Sequence, residues 1–430
     1  MAESLQGRVE SLLPGGEALV RTKQGVVLAA NGVPGDQVVL EDCGRRRGSR
    51  RGRISTLIEA SDMRVQAGCA VAGECCGCAM QYVDRAAQLE IKSEWVRTAF
   101  AASMQHDTQW IPVSGLPSTG MRRRAMWHRG EDDGGAFLGF HSRSSHRVVR
   151  TPACPVVIPQ MDVLRLRLQA HVPPEIASLR ITSLANGMHV VFEVAEGVQQ
   201  LADDALAACL AVLEEATRNT APIQLIQPWL RAGVSLRPLT RPAHRLYDSL
   251  PAGDAWIDLL VGPDDFVQGH TAGNEAIIRQ IQAWAGNPRR ISDLFCGIGN
   301  LSLPLAVHSG AALAGAELVE SSVRQAQLNA KILRLDAEFE VLNLFNKVSL
   351  QHYAGADVLL LDPPRQGAKA VCRMMGSLLP EMIIMVNCDI AAGARDAALL
   401  AAQGYRMQAL RALDIFPFSG HVEAMSCWRR

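Results

Sequence analysis

Three groups of chemically reactive residues follow apolar, strand-like runs in the last third of this 430-residue chain. The first is the turn Asp293–Asn300, which contains Gly-Ile-Gly, and the second reads Asp-Pro-Pro-Arg at 362–365. The third pairs Cys388 with the later sequence Gly-His-Val-Glu, which ends at Glu423. A cysteine thiolate is a strong nucleophile, and a carboxylate can remove a proton. Together they predict an enzyme that activates a carbon atom covalently before a group is transferred to it.

The glycine turn is typical of a nucleotide-cofactor loop. Gly297 and Gly299 follow an apolar strand and open a helix, so the backbone can approach a ligand closely. Ser302 stands where a dinucleotide-binding fingerprint has its third glycine, which disfavours NAD or FAD. Glu317 ends the next predicted strand, where an acid can hold ribose hydroxyls. This pattern favours S-adenosylmethionine, with an ordinary tight turn as the alternative.

The Asp-Pro-Pro-Arg sequence predicts a rigid acidic turn. Asp362 follows a run of buried-strand composition, and two prolines stiffen the chain after it. Methyltransferases that act on exocyclic amines have Asn-Pro-Pro-aromatic at this place, and Asp362 with Arg365 does not match that chemistry.

Cys388 and Glu423 suit methyl transfer to C5 of uracil. This carbon is a poor nucleophile until a thiolate adds to C6 and generates an enolate. A base must then remove the C5 proton so that the thiolate can leave. Glu423 is the candidate base and His421 the competitor, although positioning of the substrate or loop is the simpler role for His421. Most lone cysteines are small buried hydrophobic residues, which is the alternative for Cys388.

A second cysteine group lies nearer the N-terminus. Cys69, Cys75 and Cys78 share one short loop, and Cys154 follows at a distance beside a proline. Four thiolates suit an iron–sulfur cluster or a structural zinc ion, and this spacing favours iron–sulfur. Cys76 is left as a spare thiol.

The bulk composition is that of a globular enzyme, with 48% hydrophobic and 20% charged residues and no net charge. Clusters of arginine can still bind phosphates locally, with a solvated basic loop as the alternative. The members are Arg45, Arg46, Arg47, Arg50, Arg51, Arg53, Arg122, Arg123 and Arg124. No apolar run is long enough to span a membrane, and the early charges argue against a signal peptide. The cysteine pattern is unlike a secreted disulfide framework, so a reducing cytoplasm is expected.

Turn spacing divides the chain into three predicted domains. Residues 1–61 suggest a small β-barrel, and residues 62–255 suggest a mixed α+β domain. Helix 85–106 within the second is expected to pack on the third, 256–430, where strands and helices alternate as in a doubly wound parallel sheet. The strands are predicted near 291–295, 312–317, 338–342, 356–361 and 381–387. The helices are predicted at 271–285, 300–308, 320–333, 368–378 and 391–403.

With these motifs in this order, the chain resembles the RNA uracil-C5 methyltransferases over its whole length, most closely the bacterial branch that acts on 23S ribosomal RNA. The resemblance implies an α/β methyltransferase with a Rossmann-like doubly wound sheet, an N-terminal TRAM barrel of OB-like type and an α+β central domain bearing a [4Fe–4S] cluster. It implies Cys388 as nucleophile and Glu423 as base. The implied cluster ligands are Cys69, Cys75, Cys78 and Cys154. The implied S-adenosylmethionine site contains Gln268, Phe295, Gly297, Gly299, Asn300, Glu317, Asn343 and Asp362.

The chain departs from the family pattern at three places. Cys388 is followed by Asp389 and Ile390 where Asn-Pro is usual, and an adjacent carboxylate is expected to raise the pKa of the thiol. Asn387 replaces the usual serine, and His270 replaces an asparagine.

The function predicted from the sequence is S-adenosylmethionine-dependent formation of 5-methyluridine in 23S rRNA by a monomeric protein. The nearest alternative is the same chemistry on tRNA or on another rRNA uridine. A more distant alternative is a non-catalytic RNA-binding assembly protein.

Overall fold

The N-terminal part of the computed structural model is a β-barrel. The structure describes residues 4–46, 48–143, 145–198, 201–202, 204–219, 225–241, 243–346 and 348–430. The barrel closes in the order β1-β2-β3-β5-β4, with β3 and β5 parallel and the other neighbours antiparallel. Its strands are β1 Ser4–Leu12, β2 Ala18–Thr22, β3 Gly25–Ala29, β4 Gln37–Arg46 and β5 Ser49–Glu59. The barrel expected from turn spacing is therefore confirmed.

The middle of the chain folds around a mixed sheet with the strand order β13-β12-β11-β10-β7-β8-β9. Apolar side chains on one face of this sheet pack against two helices. The elements here are α1 Arg85–Phe100, a 3₁₀ turn Ala101–Ser103, β6 Gln109–Ser114, β7 Arg124–Asp132, β8 Gly135–His141, β9 Val148–Val149, α2 Pro159–Leu168, β10 Ile176–Ser183, β11 Met188–Val194, α3 Ala207–Asn219, β12 Ile226–Ala232 and β13 Ser235–Pro238.

The C-terminal part contains the larger sheet, in the order β18-β17-β16-β19-β20-β22-β21-β6. It is preceded by a hairpin, β14–β15, which straddles the domain boundary predicted at residue 255. The elements are β14 Tyr247–Ala252, β15 Ala255–Leu260, α4 Thr271–Ala285, β16 Arg290–Leu294, α5 Ser302–Ser309, β17 Ala312–Glu317, α6 Glu320–Ile332, β18 Ala337–Val341, a 3₁₀ turn Gln351–Tyr353, β19 Val358–Leu361, α7 Lys369–Cys372, α8 Met375–Leu378, β20 Met382–Asn387, α9 Ile390–Ala402, β21 Arg406–Leu413 and β22 Glu423–Arg429.

The predicted parallel strands, β16 to β20, are present and parallel, which confirms the fold class. The sheet as a whole is mixed, because β22 runs antiparallel between β20 and β21. The expected helix 368–378 is interrupted and forms the short helices α7 and α8. Strand β6 comes from the middle of the chain but pairs in parallel with β21 at the sheet edge.

Helix α1 connects the barrel with the large sheet. Its Trp95 indole donates a hydrogen bond to the carbonyl oxygen of Leu12 in the barrel, at 2.7 Å. Its Lys92 ammonium, with no exposed surface, donates to the Asp414 carboxylate at 2.6 Å, just beyond β21. Val96 and Phe100 lie in the same core cluster as barrel and sheet residues. Helix α1 therefore contacts both the barrel and the end of β21, and it ends at Phe100 rather than at the predicted residue 106.

Asp36 fixes the barrel to the segment that follows it. Its buried carboxylate accepts hydrogen bonds from the backbone N–H of Val33 at 2.8 Å and of Ser61 at 3.0 Å, and from the Arg64 guanidinium at 2.6 Å. Burial by itself would raise the pKa of Asp36, but these hydrogen bonds outweigh burial and lower it. The carboxylate therefore stabilises the folded state only while it is ionised.

We expect Asp36→Asn to destabilise the barrel by about 3 kcal/mol at pH 7, because it breaks a buried ion pair. Since the folded pKa is lowered, this stabilisation is present above the unfolded pKa of about 4 and is lost as the pH falls through the folded pKa. Hydrogen exchange of barrel amides at pH 7 and pH 3.5 measures both effects. Asp42→Asn is the control, because its pair with Arg50 lies at the barrel surface, where screening by solvent makes an ion pair weak.

Candidate active site

The carboxyl ends of neighbouring strands bring three predicted cofactor residues together. Leu294 of β16 pairs with Ala316 of β17 on one side and with Leu361 of β19 on the other. The residue after each of these is a site residue, namely Phe295, Glu317 or Asp362. The parallel register therefore places them side by side along one sheet edge.

The loop after β16 has an unusual backbone conformation. Phe295, Gly297 and Gly299 all have positive φ, at 74°, 55° and 85°. A Cβ atom on Gly299 would lie 2.4 Å from the Leu303 side chain, so only glycine fits there. The Glu317 carboxylate accepts from the Gly297 N–H at 3.3 Å. It also accepts from the N–H groups of Leu318 and Val319, just before α6. The acid predicted to hold a ribose thus also holds the glycine turn.

Gln268 and Asp362 meet directly, since the Gln268 amide donates to the Asp362 carboxylate at 3.4 Å. Asn300 forms two reciprocal amide hydrogen bonds with Asn274, both at 2.9 Å. Sequence reasoning missed Asn274, which lies in the first turn of α4, six residues after Gln268. Its only sequence signal is a polar residue on the inner face of a helix.

Most, but not all, of the predicted cofactor residues line one cavity of about 890 Å³. Gln268, Phe295, Gly297, Asn300, Glu317 and Asp362 lie on its wall. Asn343 and Gly299 do not; the Asn343 side chain accepts from the Phe345 N–H at 3.1 Å and shapes a turn. The ring of Phe345 lines the cavity instead, 5.5 Å from that of Phe295.

The nucleophile and base candidates lie opposite one another across two antiparallel strands. The last pair of the β20–β22 ladder is Asn387 with Ala424. Continuing this register by one position places Cys388 across from Glu423, and directly opposed Cα atoms are about 4.5–5.5 Å apart. Both residues line the cavity that contains Asp362. Strand β22, absent from the sequence prediction, is therefore what brings the two together.

The electrostatic surroundings of Cys388 oppose ionisation. Burial raises the pKa of the thiol to about 12, and the carboxyl groups of Glu423 and Asp362 add to the rise. The guanidinium of Arg365 lowers the pKa, and its Nη2 lies 3.4 Å from Nε2 of His421. A cationic ligand at this place would lower it further.

Glu423 is a buried carboxyl group with spare hydrogen-bonding capacity. Burial, with a contribution from Asp362, raises the pKa of Glu423 to about 8, and Oε2 has no partner in the part of the chain that the structure describes. Burial and the charge of Asp293 likewise raise the pKa of Asp362 to about 7. These carboxyl groups surround the place where a sulfonium cation would be held, and such a cation favours their ionised forms.

Two departures from the family pattern have structural explanations. Asp389 is the N-cap of α9, and its carboxylate accepts from the Ala392 N–H at 2.9 Å. Burial and the carboxyl groups of Glu423 and Asp362, rather than the adjacent Asp389, are the main causes of the raised pKa of Cys388. His270 caps α4, accepting from the Gly273 N–H at 3.1 Å. Each substitution provides a helix cap.

The four cysteines predicted as ligands lie on the same cavity, beyond the catalytic pair. Burial raises the pKa of Cys75 to about 11, with smaller contributions from Cys78 and Cys154. The thiol of Cys69 likewise raises the pKa of Cys78. Each of the eleven cysteines, all of them within the described ranges, is a free thiol. No three His, Cys, Asp or Glu side chains of the described residues are close enough to hold a single metal ion.

The four thiols on this cavity wall match, in type and number, the donors that would hold a [4Fe–4S] cluster. Neighbouring backbone holds the loop: the Cys76 N–H donates to the His141 carbonyl oxygen at 3.2 Å. The Cys154 N–H donates to the Asp162 carboxylate at 2.9 Å.

The arginine clusters are less available to RNA than the sequence suggested. Arg123 is buried, pairs with Asp248 at 2.6 Å and donates to the Gln268 carbonyl oxygen at 2.7 Å. It therefore positions a cofactor residue, and its assignment to phosphate binding is wrong. In the barrel, several arginines form ion pairs, while Arg45 and Arg46 are exposed. Arg47 lies outside the described residues.

The sheet edge, the glycine turn and the acid Glu317 beside it are typical of an S-adenosylmethionine-dependent methyltransferase. The family model for tRNA (uracil-5-)-methyltransferase matches residues 248–429. The chain is 32% identical to the 23S rRNA (uracil(1939)-C(5))-methyltransferase of Pseudomonas aeruginosa, over 97% of this chain and 92% of the relative. The corresponding enzyme of Azoarcus sp. is also 32% identical, over 98% and 99%. The chain belongs to the family of RNA uracil-C5 methyltransferases.

A solved structure has the same fold over nearly the whole chain. The tRNA (uracil-54, C5)-methyltransferase of Pyrococcus abyssi, in complex with S-adenosyl-L-homocysteine, superposes with a TM-score of 0.73 at 21% identity. The match covers 98% of this chain and 100% of that one. Among the described residues, no helix is long and apolar enough to cross a membrane.

We expect Glu423→Gln, but not Asp389→Asn, to lower the pKa of Cys388. The first variant removes a group that raises the thiol pKa, whereas the second keeps the helix cap and changes a carboxylate that already accepts from the Ala392 N–H. Each unit of lowering increases the thiolate fraction at pH 8 about tenfold. Alkylation of the Cys388 peptide, followed by mass spectrometry, measures this fraction. Equal alkylation rates in Glu423→Gln and wild-type protein would contradict the assigned geometry.

Proposed function

We propose that this protein methylates C5 of a uridine in 23S rRNA with S-adenosylmethionine as methyl donor. The observation that carries the proposal is the register that opposes Cys388 to Glu423 beside Asp362. The family supports the chemistry, and the activity of the relatives, at uracil 1939 of 23S rRNA, supports the choice of RNA.

The reaction proceeds through a covalent adduct. The Cys388 thiolate adds to C6 of the uracil, and the electron pair of the C5–C6 double bond moves to form an enolate. C5 then takes the methyl group, the carbon–sulfur bond of the sulfonium breaks, and S-adenosylhomocysteine leaves. Glu423 removes the proton from C5, the double bond re-forms and the thiolate is expelled. Arg365 lowers the pKa of the thiol and so favours the first step.

The cavity rim is suited to an extruded base. Phe266 is 65% exposed although it lines the cavity, so its ring is available to stack on a base. We propose that the target uridine is flipped into the cavity, and that the barrel, a TRAM domain in this proposal, contacts RNA phosphates through Arg45 and Arg46. We also propose that the protein is monomeric and cytoplasmic.

The more distant alternative, a non-catalytic RNA-binding protein, loses its only support. It depended on the residues that follow Cys388, and Asp389 has a structural role as the N-cap of α9. Cys388, Glu423 and Asp362 line one cavity, as the enzymatic proposal requires.

We expect a covalent complex between this protein and 5-fluorouridine-substituted 23S rRNA containing uracil 1939, in the presence of S-adenosylmethionine. Fluorine at C5 cannot leave as a proton, so Cys388 remains attached to C6. A denaturing gel measures the complex, with Cys388→Ala as the control and substituted tRNA as the competing substrate. A complex with tRNA alone would move the activity to tRNA, and no complex with either RNA would reject the catalytic proposal.

We propose that Cys69, Cys75, Cys78 and Cys154 hold a [4Fe–4S] cluster that shapes the RNA-binding face. We expect Cys69→Ser to lower the iron content and either solubility or RNA affinity, because a ligand is lost. Iron analysis, the absorbance of the purified protein and a filter-binding assay measure these quantities. Cys76→Ser is the matched control on the same loop and should keep its iron. Unchanged iron, solubility and affinity in Cys69→Ser would reject the cluster.

A further inference from the structure

The segment between β21 and β22, residues 414–422, forms one wall of the catalytic cavity. We refer to it as the base loop, because it leads directly into Glu423. Its residues Phe416, Ser419 and His421 line the cavity together with Cys388. Within it, the Ser419 hydroxyl donates to the Phe416 carbonyl oxygen at 2.8 Å, and the His421 N–H donates to Ser419 Oγ at 3.2 Å. A shift at one end of the loop is therefore transmitted toward His421.

Three other parts of the chain hold the base loop. From the barrel, the Gly15 N–H donates to the Gly420 carbonyl oxygen at 2.9 Å. A Cβ atom on Gly420 would lie 2.1 Å from the carbonyl carbon of Gly15, so this contact requires glycine. From α1, the buried Lys92 ammonium donates to the Phe416 carbonyl oxygen at 2.9 Å.

The third contact comes from the cysteine loop. Met80, two residues after Cys78, donates its N–H to the carbonyl oxygen of Phe418 at 2.7 Å. Phe418 has a φ of 61°, in the left-handed region that side chains other than glycine rarely adopt. Such a conformation is strained and persists only where the surroundings impose it. The contacts of Phe418 therefore determine the shape of the base loop.

Gln88 of α1 makes the other backbone contact of Phe418. Its side chain has no exposed surface. Oε1 accepts from the Phe418 N–H at 3.2 Å, while Nε2 donates to the carbonyl oxygens of Met80 at 3.2 Å and Val83 at 2.8 Å. One amide thus holds both the end of the cysteine loop and the strained residue of the base loop. Among similar side chains, only an amide supplies an acceptor and two donors for this arrangement.

We propose that Gln88 is a positioning residue for proton abstraction, because it ties the base loop to the cysteine loop and thereby keeps Glu423 and His421 over the adduct. The inference rests on the proposed function, in which Glu423 removes the C5 proton. Gln88 is outside the cavity wall, so it acts on the reaction only through the base loop and the cysteine loop that it holds.

The reaction sequence gives this role a distinctive signature. Addition of Cys388 to C6 and methyl transfer to C5 both precede proton removal, so a displaced base slows the last step more than the first two. If the base is displaced, the methylated adduct forms but breaks down slowly. RNA that contains no 5-fluorouridine then remains covalently attached to the protein after methylation. A general loss of stability does not produce such a complex.

The 5-fluorouridine experiment first identifies the RNA sequence that wild-type protein traps. Gln88→Leu and wild-type protein are then compared on the same RNA sequence containing ordinary uridine. The methyl group of S-adenosylmethionine carries the label. We expect Gln88→Leu to lower kcat at least tenfold, to keep the S-adenosylmethionine affinity within about threefold, and to accumulate a labelled protein–RNA complex on a denaturing gel.

The matched control is Gln282→Leu. Gln282 is also a buried glutamine on a helix, donating to the Pro251 carbonyl oxygen at 2.9 Å and accepting from the Gly253 N–H at 3.3 Å. Its loss disturbs packing of the same kind away from the base loop, and no labelled complex should accumulate. Gln88→Glu is the second variant if Gln88→Leu does not fold, because it keeps the acceptor for Phe418 and loses only the donors to Met80 and Val83.

The outcomes separate the inference from the proposed function. Failure of wild-type protein to trap 5-fluorouridine RNA rejects the proposed function. The role of Gln88 is overturned if wild-type protein traps the RNA but the Gln88 variants accumulate no labelled complex. In that case the variants slow methyl transfer and turnover equally. Accumulation in Gln282→Leu as well as in Gln88→Leu also overturns it, because the effect would then reflect general destabilisation.

Discussion

The antiparallel register of β20 and β22 is the constraint on which the site depends. The pairing of Asn387 with Ala424 aligns the next two positions, Cys388 and Glu423, across the strands. Shifting an antiparallel strand by one residue turns all its side chains to the other face of the sheet. Two other residues of the site act on the pKa of Cys388. Asp362 lies at the end of β19, and Arg365 lies in the rigid turn that follows.

The sequence predicted well those elements whose pattern is local. The strands β16 to β20 are short apolar runs bounded by turns, and their alternation with amphipathic helices identifies a parallel sheet. The glycine turn and Asp362 were placed correctly for the same reason, since both follow such strands directly. Strands β21 and β22 were missed. Strand β22 pairs with β20, which precedes β21 in the chain, so its place in the sheet depends on a partner that is not its neighbour in sequence.

Residue roles were harder to predict than residue positions. Arg123 belongs to a basic run that suggests phosphate binding, yet it is buried against Asp248 because the chain around it crosses between two sheets. Asp389 and His270 differ from the family pattern and invite a catalytic interpretation, but both cap helices. A sequence shows charge and spacing; only the fold shows which hydrogen-bonding groups are already engaged.

Strand β6 gives the large sheet an unusual order of assembly. It pairs with β21, which begins at Arg406, nearly at the other end of the chain. During synthesis at about 5–20 residues per second, β6 leaves the ribosome roughly 15–60 s before its partner. For that interval its backbone presents an unpaired strand edge, a template for aberrant pairing. Folding of this protein, which modifies ribosomal RNA in our proposal, is therefore exposed to such pairing while the nascent chain is still attached to a ribosome.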